Sequence, residues 1–311
     1  MWLVTGGAGY IGSHVLLKMK EAGFALTALD NLSSGSFKRI PSGVAFIEGD
    51  ICDSELVSRV LIENQIEGII NLAALKSVEE SKRIPDEYER INHLGTKILV
   101  DCAIKAEVKI FIQSSTAAVY GNSDSGFASE TSELSPISPY GLSKVLAEKE
   151  VTRFVEEGGR RGTSLRYFNV LGSESPVLKD NSNANVVPMV LEAITKECAP
   201  QIFGDDYETK DGTCIRDYIH VSDVARAHVL AAKVLLQKSL PQALNIGTAN
   251  GYSVREIVAE ILTQANSHLE PVVVGRREGD PSILLADVRL SRELLGFTAD
   301  LSLYEMVRSS I

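Results

Sequence analysis

Three glycines near the start of the chain constrain its fold more than any other feature. Gly6, Gly9 and Gly12 lie between an apolar run at residues 2–5 and an amphipathic segment at 10–22. Glycines at such a junction allow a tight turn from strand to helix, and they let backbone N–H groups approach a phosphate at the helix N-terminus. The spacing is GxxGxxG rather than GxGxxG, but the physical role is the same. The pattern predicts a dinucleotide-binding strand–turn–helix unit.

Short apolar runs alternate with amphipathic stretches through the first half of the chain. Near-continuous apolar strands are typical of a parallel sheet buried on both faces, and their alternation with helices implies right-handed crossovers. We predict an α/β fold, a doubly wound Rossmann-like parallel sheet with a smaller α/β C-terminal substrate lobe. The predicted strands are 2–5, 25–30, 43–48, 66–73, 108–114, 163–169, 202–204, 243–247 and 271–275, and the predicted helices are 10–22, 54–64, 86–106, 139–157, 186–196, 222–236, 253–264 and 302–310.

The regular alternation of strands and helices ends after residue 169. A polar, turn-rich segment at 172–184 predicts a surface loop, and shorter elements follow it. We therefore predict two units. The sheet domain comprises 1–169 plus about 217–249, and the smaller lobe comprises about 170–216 plus 250–311.

Composition excludes several classes of protein. With 31 Lys and Arg against 41 Asp and Glu, the net charge is −10, which disfavours a nucleic-acid partner. No apolar run is long enough to span a membrane, and no basic segment precedes an apolar stretch as in a secretory signal. The cysteines form no CxxC pair, and His220 and His228 have no ligand spacing, so we expect no metal, no disulfide and a reducing cytoplasm.

Two acidic residues follow predicted strands of the sheet domain. Asp30 lies 18 residues after Gly12, where a carboxylate can accept hydrogen bonds from a ribose 2′-hydroxyl and repel a 2′-phosphate. This favours NAD over NADP, although Asp30 could instead only open a turn with Asn31. Asp50 could meet the adenine ring or cap the next helix, a role that Asp53 could fill equally well.

Tyr140 and Lys144 form a YxxxK pair on one face of the predicted helix 139–157. A nearby ammonium stabilises a phenolate and lowers the tyrosine pKa, so the pair predicts a proton acceptor for an alcohol. Ser138 is placed to cap this helix. Thr116, at the end of a predicted strand, can hydrogen-bond the same substrate oxygen. The glycine loop, the strand-end hydroxyl and the YxxxK pair together predict a redox role.

These motifs identify a resemblance to the extended short-chain dehydrogenases/reductases, and among them to the UDP-glucose 4-epimerases. The similarity extends over essentially the whole chain. The last three of its segments point to nucleotide-sugar binding. The segments are TGGAGYIGSH (5–14), LDNLSSG (29–35), EGDI (48–51), LAALKSVEES (72–81), SSTAAVYG (114–121), SPYGLSK (138–144), LRYFNVLG (165–172), IFGDDYETKDGTCIRDYIHVSDVA (202–225) and RREGDPSILLAD (276–287).

The resemblance implies NAD-dependent epimerisation at C4 of a UDP-hexose through a transient 4-keto sugar, by a cytoplasmic homodimer that pairs through helices 86–106 and 139–157. It assigns catalysis to Tyr140, Lys144 and Thr116, with NAD bound by the sheet domain and the UDP-sugar by the lobe. The implied cofactor residues are Gly6, Gly9, Tyr10, Ile11, Gly12, Asp30, Asn31, Asp50, Ile51, Leu72, Ala73, Lys76, Asn92, Tyr140, Lys144 and Phe168. The implied substrate residues are Thr116, Asn169, Asn185, Val186, Gln201, Phe203, Arg216, Tyr218, Arg277, Asp280 and Leu284.

Other functions remain open at the level of sequence. Related 4,6-dehydratases carry an acid directly after the strand-end hydroxyl, whereas Ala117 and Ala118 follow Thr116 here. A non-catalytic NAD sensor would not need the YxxxK pair. The substrate could also be a UDP-pentose. By resemblance, Leu284 borders the C2 substituent of the sugar, and its intermediate size predicts a pocket for UDP-glucose and UDP-galactose that tolerates N-acetyl forms.

Overall fold

The computed structural model of the chain describes residues 1–122, 126–182, 185–277 and 279–311. The strands are β1 (Trp2–Thr5), β2 (Leu26–Asp30), β3 (Ala45–Glu48), β4 (Gly68–Asn71), β5 (Ile110–Thr116), β6 (Phe127–Ala128), β7 (Arg161–Tyr167), β8 (Asn169–Leu171), β9 (Gln201–Phe203), β10 (Ile215–His220), β11 (Ala243–Ile246), β12 (Gly251–Ser253), β13 (Val272–Val274) and β14 (Ile283–Ala286). The α-helices are α1 (Tyr10–Glu21), α2 (Ser54–Glu63), α3 (Val78–Arg83), α4 (Pro85–Tyr88), α5 (Gly95–Lys105), α6 (Pro139–Glu156), α7 (Val186–Thr195), α8 (Val221–Leu235), α9 (Val254–Gln264), α10 (Arg289–Leu295) and α11 (Leu303–Ser310).

Seven strands form one parallel sheet, in the order β11-β7-β5-β4-β1-β2-β3. The chain runs outward from β1 in both directions, with β2 and β3 on one side and β4, β5 and β7 on the other. Such a reversal opens a crevice at the carboxyl ends of the central strands, where ligands bind in this architecture. The predicted doubly wound sheet is confirmed.

Helices cover both faces of this sheet, which explains why its central strands are apolar throughout. On one face, Val15 of α1 and Val224 of α8 join the core. On the other face, Val57 of α2, Leu99 of α5 and Phe154 of α6 form a second core. Every residue of β1, β2 and β4 is buried as a result. The two cores hold the carboxyl ends of the strands in fixed positions.

Strands from the second half of the chain, together with β6, build smaller sheets. Strands β12, β10, β14 and β6 pair in that order, β8 pairs with β10, and β13 pairs with β9. Helices α7, α9 and α11 pack together against this part of the chain. The large sheet draws its strands from residues 2–167 and 243–246, whereas β10 belongs to the smaller sheet. The division into two units stays a prediction, and its boundary near residue 217 falls inside β10.

Several predicted boundaries are wrong in instructive ways. The single helix predicted at 86–106 is α4, a π-helical segment at Glu89–Leu94 and α5 in succession. The strand predicted at 163–169 is two strands, because the chain leaves the large sheet after Tyr167 and joins β10 from Asn169. Six elements were not predicted, namely β6, β10, β12, β14, α3 and α10. The predicted loop 172–184 contains a 3₁₀ turn at Pro176–Leu178, and its residues 183 and 184 lie outside the described part.

Within the described ranges, no helix combines the length and apolar character needed to cross a membrane.

Candidate active site

The glycine loop packs too closely for side chains. A Cβ atom at Gly12 would lie 2.0 Å from the carbonyl oxygen of Gly6, and one at Gly6 would lie 2.6 Å from the backbone nitrogen of Ala73. Gly6 also has φ +67°, a left-handed conformation that favours glycine. Gly9 is the N-cap of α1 and supplies no side-chain hydrogen bond to the first turn. The helix therefore presents free N–H groups, including those of Tyr10 and Ile11, at the crevice.

Asp30 ends β2 beside this loop. One of its carboxylate oxygens accepts a hydrogen bond from the backbone of Ala8 at 2.9 Å, and the other from the backbone of Leu32 at 2.8 Å. Asp30 therefore opens the turn and also lies against the glycine loop, while its contact with a ribose 2′-hydroxyl stays a prediction. Its carboxylate ties the ends of β1 and β2 together.

Asp50 does not cap the next helix. That role belongs to Asp53, which accepts hydrogen bonds from the first turn of α2. Asp50 instead accepts hydrogen bonds from Cys52 and from the side chain of Asn31 at 3.0 Å. Burial raises the pKa of Asp50, but these hydrogen bonds outweigh burial and leave the pKa below its usual value. Asn31 and Asp50 thus form a polar pair at the edge of the crevice, next to buried Ile51.

The segment after β4 carries Leu72, Ala73 and Lys76 to the same crevice. Asn92 holds this segment, since it accepts a hydrogen bond from the Leu75 nitrogen at 2.8 Å and donates to the Leu75 oxygen at 3.0 Å. Asn92 lies in the π-helical segment, a distortion often found at functional sites. Lys76 pairs with Asp180 at 3.2 Å, across to the loop that precedes α7.

Tyr140 and Thr116 meet where the predicted chemistry requires them. Thr116 is the last residue of β5, and Tyr140 is half-buried in the first turn of α6. Burial raises the pKa of the Tyr140 phenol, and a hydrogen bond with Thr116 lowers it in part. The net effect of burial and of Thr116 is an increase in the pKa of Tyr140, and the lowering of this pKa by Lys144 stays a prediction. The phenol and the Thr116 hydroxyl lie within hydrogen-bond distance of each other, and their shared contact with a substrate oxygen stays a prediction.

Lys144 lies one turn further along α6 and is only 3% exposed. Its ammonium donates to the carbonyl oxygen of Ser114 at 3.1 Å. Burial lowers the pKa of Lys144 to about 8, and the nearby carboxylate of Glu148 opposes this change. Ser138 caps the helix through the Gly141 nitrogen, as predicted, and so fixes where the helix begins.

A cavity of about 380 Å³ opens beside α7, β9 and β10. It is large enough for part of a nucleotide, and apolar and charged groups line different walls of it. Nine of the predicted substrate residues line this one cavity, although they come from distant parts of the chain. They are Asn169, Asn185, Val186, Gln201, Phe203, Arg216, Tyr218, Arg277 and Asp280.

Two arginines supply positive charge to this cavity. Arg216 is 8% exposed, and its Nη2 makes no hydrogen bond to any group in the described ranges. The closest acid is Asp280, whose carboxylate lies 3.6 Å from Nη2. Arg277 stacks over the ring of Phe203, with its guanidinium carbon 4.1 Å from the ring centre. A buried donor without a partner is costly, and a guanidinium fork suits phosphate oxygens.

Two predicted substrate residues do not line the cavity. Thr116 lies at the end of β5 with Tyr140, as described above. Leu284 lies on β14 in register with Arg216, and it packs in a cluster with Phe168 and Ala117. The cluster thus includes the chain neighbour of Thr116 and, through Leu284, adjoins Arg216 of the cavity wall.

Sequence reasoning missed a buried polar network behind Lys144. Glu148 accepts hydrogen bonds from Ser115 and from the guanidinium of Arg166, and Arg166 donates to Tyr120. It also missed Tyr88, whose ring meets that of Tyr140 edge to face with centres 6.2 Å apart. The only signal for Glu148 is its position one turn after Lys144.

The histidines considered as metal ligands have other partners. His228 lies between the Tyr167 hydroxyl and the Val224 oxygen, each at 2.8 Å, and His220 accepts from the Ser222 nitrogen. Burial lowers the pKa of each imidazole to about 4. The described side chains include no group of three or more His, Cys, Asp or Glu that could hold a metal ion.

The crevice fits a dinucleotide on the geometry of the chain itself. The N-cap Gly9 has no side chain that could cover the N-terminus of α1, and Asp30 ends the neighbouring strand beside it. A pyrophosphate at the helix N-terminus and a ribose at the carboxylate are the contacts that such an arrangement makes.

Comparison with known proteins agrees with this geometry. The model of the NAD dependent epimerase/dehydratase family matches residues 2–247. A UDP-glucose 4-epimerase of Rhizobium leguminosarum bv. trifolii is 38% identical over 312 residues, covering 99% of this chain and 95% of the relative.

Two solved structures are similar over their whole length. That of UDP-glucose 4-epimerase from Brucella ovis in complex with NAD has 37% identity and a TM-score of 0.94, covering 99% of this chain and 96% of that one. That of UDP-glucose-4-epimerase from Stenotrophomonas maltophila with bound NAD and formylated UDP-arabinopyranose has 34% identity and a TM-score of 0.93, with the same coverage. The resemblance predicted from sequence is therefore confirmed, and the chain belongs to the NAD dependent epimerase/dehydratase family.

Proposed function

We propose that the protein is a UDP-glucose 4-epimerase that interconverts UDP-glucose and UDP-galactose through a transient 4-keto sugar. One observation carries this proposal. The Tyr140 phenol forms a hydrogen bond with Thr116, the next residue Ala117 packs with Leu284 and Phe168, and Arg216, in register with Leu284, lines a cavity together with Arg277. A proton acceptor and two diphosphate partners linked through this cluster are the groups that a nucleotide sugar requires.

The chain's own residues divide the work. Tyr140 would accept the proton of the C4 hydroxyl, and Thr116 would hold that oxygen by a hydrogen bond. Lys144 would stabilise the phenolate by its charge. The glycine loop, Asp30, the Asn31–Asp50 pair, Lys76 and Asn92 would hold NAD. When bound, NAD supplies the hydride acceptor for C4.

The nucleotide would bind mainly through its diphosphate and uracil. Arg216 and Arg277 would contact the diphosphate, and Asp280 a ribose hydroxyl. Phe203, Val186 and Gln201 line the remaining wall of the cavity, where the base would lie. This arrangement would put most of the binding free energy into the UDP group and little into the sugar.

The test is the Tyr140→Phe variant together with the wild type. The purified proteins are denatured and the released NAD is assayed, and the intact proteins are tested on UDP-glucose, UDP-galactose, their N-acetyl forms and UDP-arabinose. We expect both proteins to carry NAD and the variant to lose about 10²–10⁴-fold in kcat, the usual contribution of a positioned acid or base. Comparable turnover by the variant would remove Tyr140 from this role. A wild type that carries NAD but converts no UDP-sugar would instead favour a sensor.

Dehydration is disfavoured by the residues after Thr116. Elimination across C5 and C6 needs an additional acid and base, whereas Ala117 and Ala118 continue the chain here and Ala117 is buried. If UDP-glucose nevertheless yields a 4-keto-6-deoxy product, a different acid from the lobe supplies that chemistry and the epimerase proposal is wrong.

Leu284 is the residue we propose to limit the C2 substituent. It is 8% exposed and packs with Phe168 near the catalytic pair. A larger side chain at this position would fill space that an N-acetyl group needs. We expect Leu284→Tyr to keep activity on UDP-glucose and to lose at least about tenfold on UDP-N-acetylglucosamine, the equivalent of about 1.4 kcal/mol. Equal rates of the two proteins on the N-acetyl substrate would contradict this role.

We also propose a homodimer that pairs through α5, α6 and the π-helical segment. Leu94 of the π-helical segment and Leu142 of α6 are 41% and 50% exposed and would be covered by a second copy of the chain. Sedimentation equilibrium of the wild type and of Leu142→Glu tests it. We expect a dimer that the substitution dissociates, and a monomeric wild type would overturn the proposal.

We propose that the protein is cytoplasmic. Its cysteines Cys52, Cys102, Cys198 and Cys214 are all free thiols. This is the state that a reducing compartment maintains. Fractionation of cells that express the protein would test the location, and recovery from the secreted fraction would contradict it.

A further inference from the structure

A buried ion pair lies directly behind the catalytic lysine. Glu148 is 8% exposed and Arg166 is 4% exposed. The guanidinium of Arg166 donates to both carboxylate oxygens of Glu148, at 2.9 and 2.6 Å. Ser115 donates to the same carboxylate at 2.5 Å. Burying two charges costs more than their attraction alone returns in most proteins, so stability is a weak reason for this pair.

Glu148 of this ion pair lies closer to Lys144 than to Tyr140. Glu148 follows Lys144 by one helical turn, or about 6 Å along the axis, and follows Tyr140 by two turns, or about 12 Å. A negative charge at this end of α6 therefore acts more strongly on Lys144 than on Tyr140. The carboxylate is also anchored to β5 through Ser115, the neighbour of the Ser114 carbonyl that Lys144 contacts.

In the proposed mechanism, Lys144 and Tyr140 would share one proton. With that proton on Lys144, the pair is an ammonium and a phenolate, and the phenolate can accept the proton of a substrate hydroxyl. With it on Tyr140, the pair is an amine and a phenol, which cannot accept that proton. The balance between these two forms is independent of pH, because both contain the same number of protons.

We propose that Glu148 is a positioning residue whose charge keeps the shared proton on Lys144 and so maintains Tyr140 as the phenolate. This inference rests on the assignment of Tyr140 as the base. This role explains why a charged carboxylate is buried at position 148, where hydrogen bonds alone would not need a charge. Arg166 limits the effect, because its charge partly neutralises that of Glu148.

Other titratable groups face this pair from the elements packed against α6. Among the described residues, no acid other than Glu148 acts on the charge of Lys144. The neutral amide of Asn92 donates to Ser143 from the π-helical segment, and β5 contributes the Ser114 carbonyl and the Ser115 and Thr116 hydroxyls. The titratable groups are Tyr167 and Arg166 on β7, Tyr120 after β5, Tyr88 on α4, and Glu80 on α3, which accepts from the Tyr88 hydroxyl.

The experiment compares pH profiles of kcat for NAD-loaded wild type and Glu148→Gln. The substitution keeps the shape of the side chain and removes its charge. Two effects follow. The Lys144–Tyr140 pair loses a proton more readily, so the pH at which kcat is half-maximal on the acid side of the profile falls by about 1 unit or more. The shared proton also moves towards Tyr140, so the plateau falls. A purely structural defect lowers the plateau and leaves the acid limb where it was.

Two further variants keep the test decisive. Arg166→Gln leaves Glu148 without its neutralising partner, so the acid limb of this variant should move to higher pH. This shift is opposite in sign to that of Glu148→Gln. It provides the test if Glu148→Gln fails to fold. Glu150→Gln is the matched control, since Glu150 lies on the same helix but pairs with Arg153, and we expect neither limb nor plateau to change.

The outcomes separate this inference from the assignment beneath it. An acid limb that does not move in Glu148→Gln, or that moves without a fall in the plateau, overturns the role of Glu148. Retained turnover in Tyr140→Phe overturns the assignment of the base instead. Loss of turnover in Tyr140→Phe with no shift in Glu148→Gln leaves the base in place and removes only the inference.

Discussion

Arg216 offers the sharpest quantitative test of the proposed UDP site. Its guanidinium is buried, donates through Nη1 to the Ile215 oxygen at 2.9 Å, and has an Nη2 without a hydrogen bond in the described part of the chain. A diphosphate would supply the missing acceptor. A hydrogen bond to a charged group contributes about 1.5–3 kcal/mol, so replacing Arg216 by Gln should cost about 3 kcal/mol of UDP binding once the repulsion from the unbalanced Asp280 is included.

That free energy corresponds to about a 10²-fold increase in the dissociation constant of UDP, measured by calorimetry on the NAD-loaded protein. Arg216→Lys keeps the charge and loses the fork, so we expect an intermediate loss. The control is Arg289→Gln, because the Arg289 side chain is 86% exposed and pairs with Asp287, away from the cavity residues. Bound NAD should be unchanged in all three variants. A loss of less than about threefold in Arg216→Gln would refute the assignment of the buried donor to the diphosphate.

Three further predictions test other parts of the structure. Asp30→Ala should reduce discrimination against NADP by at least about tenfold in equilibrium binding, and unchanged selectivity would mean that the 2′-hydroxyl is recognised elsewhere. His228 has a pKa of about 4 when folded, so the unfolded chain binds more protons between that value and the usual 6.5. The free energy of unfolding should therefore fall by roughly 3 kcal/mol as the pH decreases through this window. In thermal unfolding, the stability of His228→Asn should fall less steeply with decreasing pH than that of the wild type, and an equal slope would contradict this. Ser138→Ala removes the cap of α6 and should lower the free energy of urea unfolding by about 1 kcal/mol, whereas no change would show that packing alone fixes where the helix begins.

The sequence predicted those features that depend on local chemistry. Gly6 and Gly12 are needed because backbone passes close to backbone there, and only the spacing and the flanking apolar runs are required to see this. The pairing of Tyr140 with Lys144 follows from helical geometry. The sheet follows from strands that are apolar on both faces. In each case the physical cause lies within a few residues of its signal.

Elements that depend on distant partners were not accessible in this way. Strand β10 was missed because Arg216 and Asp217 interrupt its apolar pattern. Asp217 is buried only because the backbone nitrogens of Thr248 and Ala249 donate to its carboxylate, at 2.8 Å each. No local pattern predicts partners about thirty positions away. For the same reason the nine residues of the nucleotide cavity were grouped by resemblance and not by periodicity.

The division of the site has a physical rationale in the reaction itself. Epimerisation requires a 4-keto sugar to present both of its faces in turn, so strong directional bonds to the sugar would oppose the turn. The structure places the charged groups Arg216 and Arg277 at the cavity, whereas Leu284 and Phe168 pack with Ala117, the residue after Thr116. Binding free energy directed to the nucleotide does not restrict the sugar, while the buried framework around Lys144 keeps the base fixed. It follows that substitutions at the cavity should change affinity more than kcat, and substitutions around Lys144 should change kcat more than affinity.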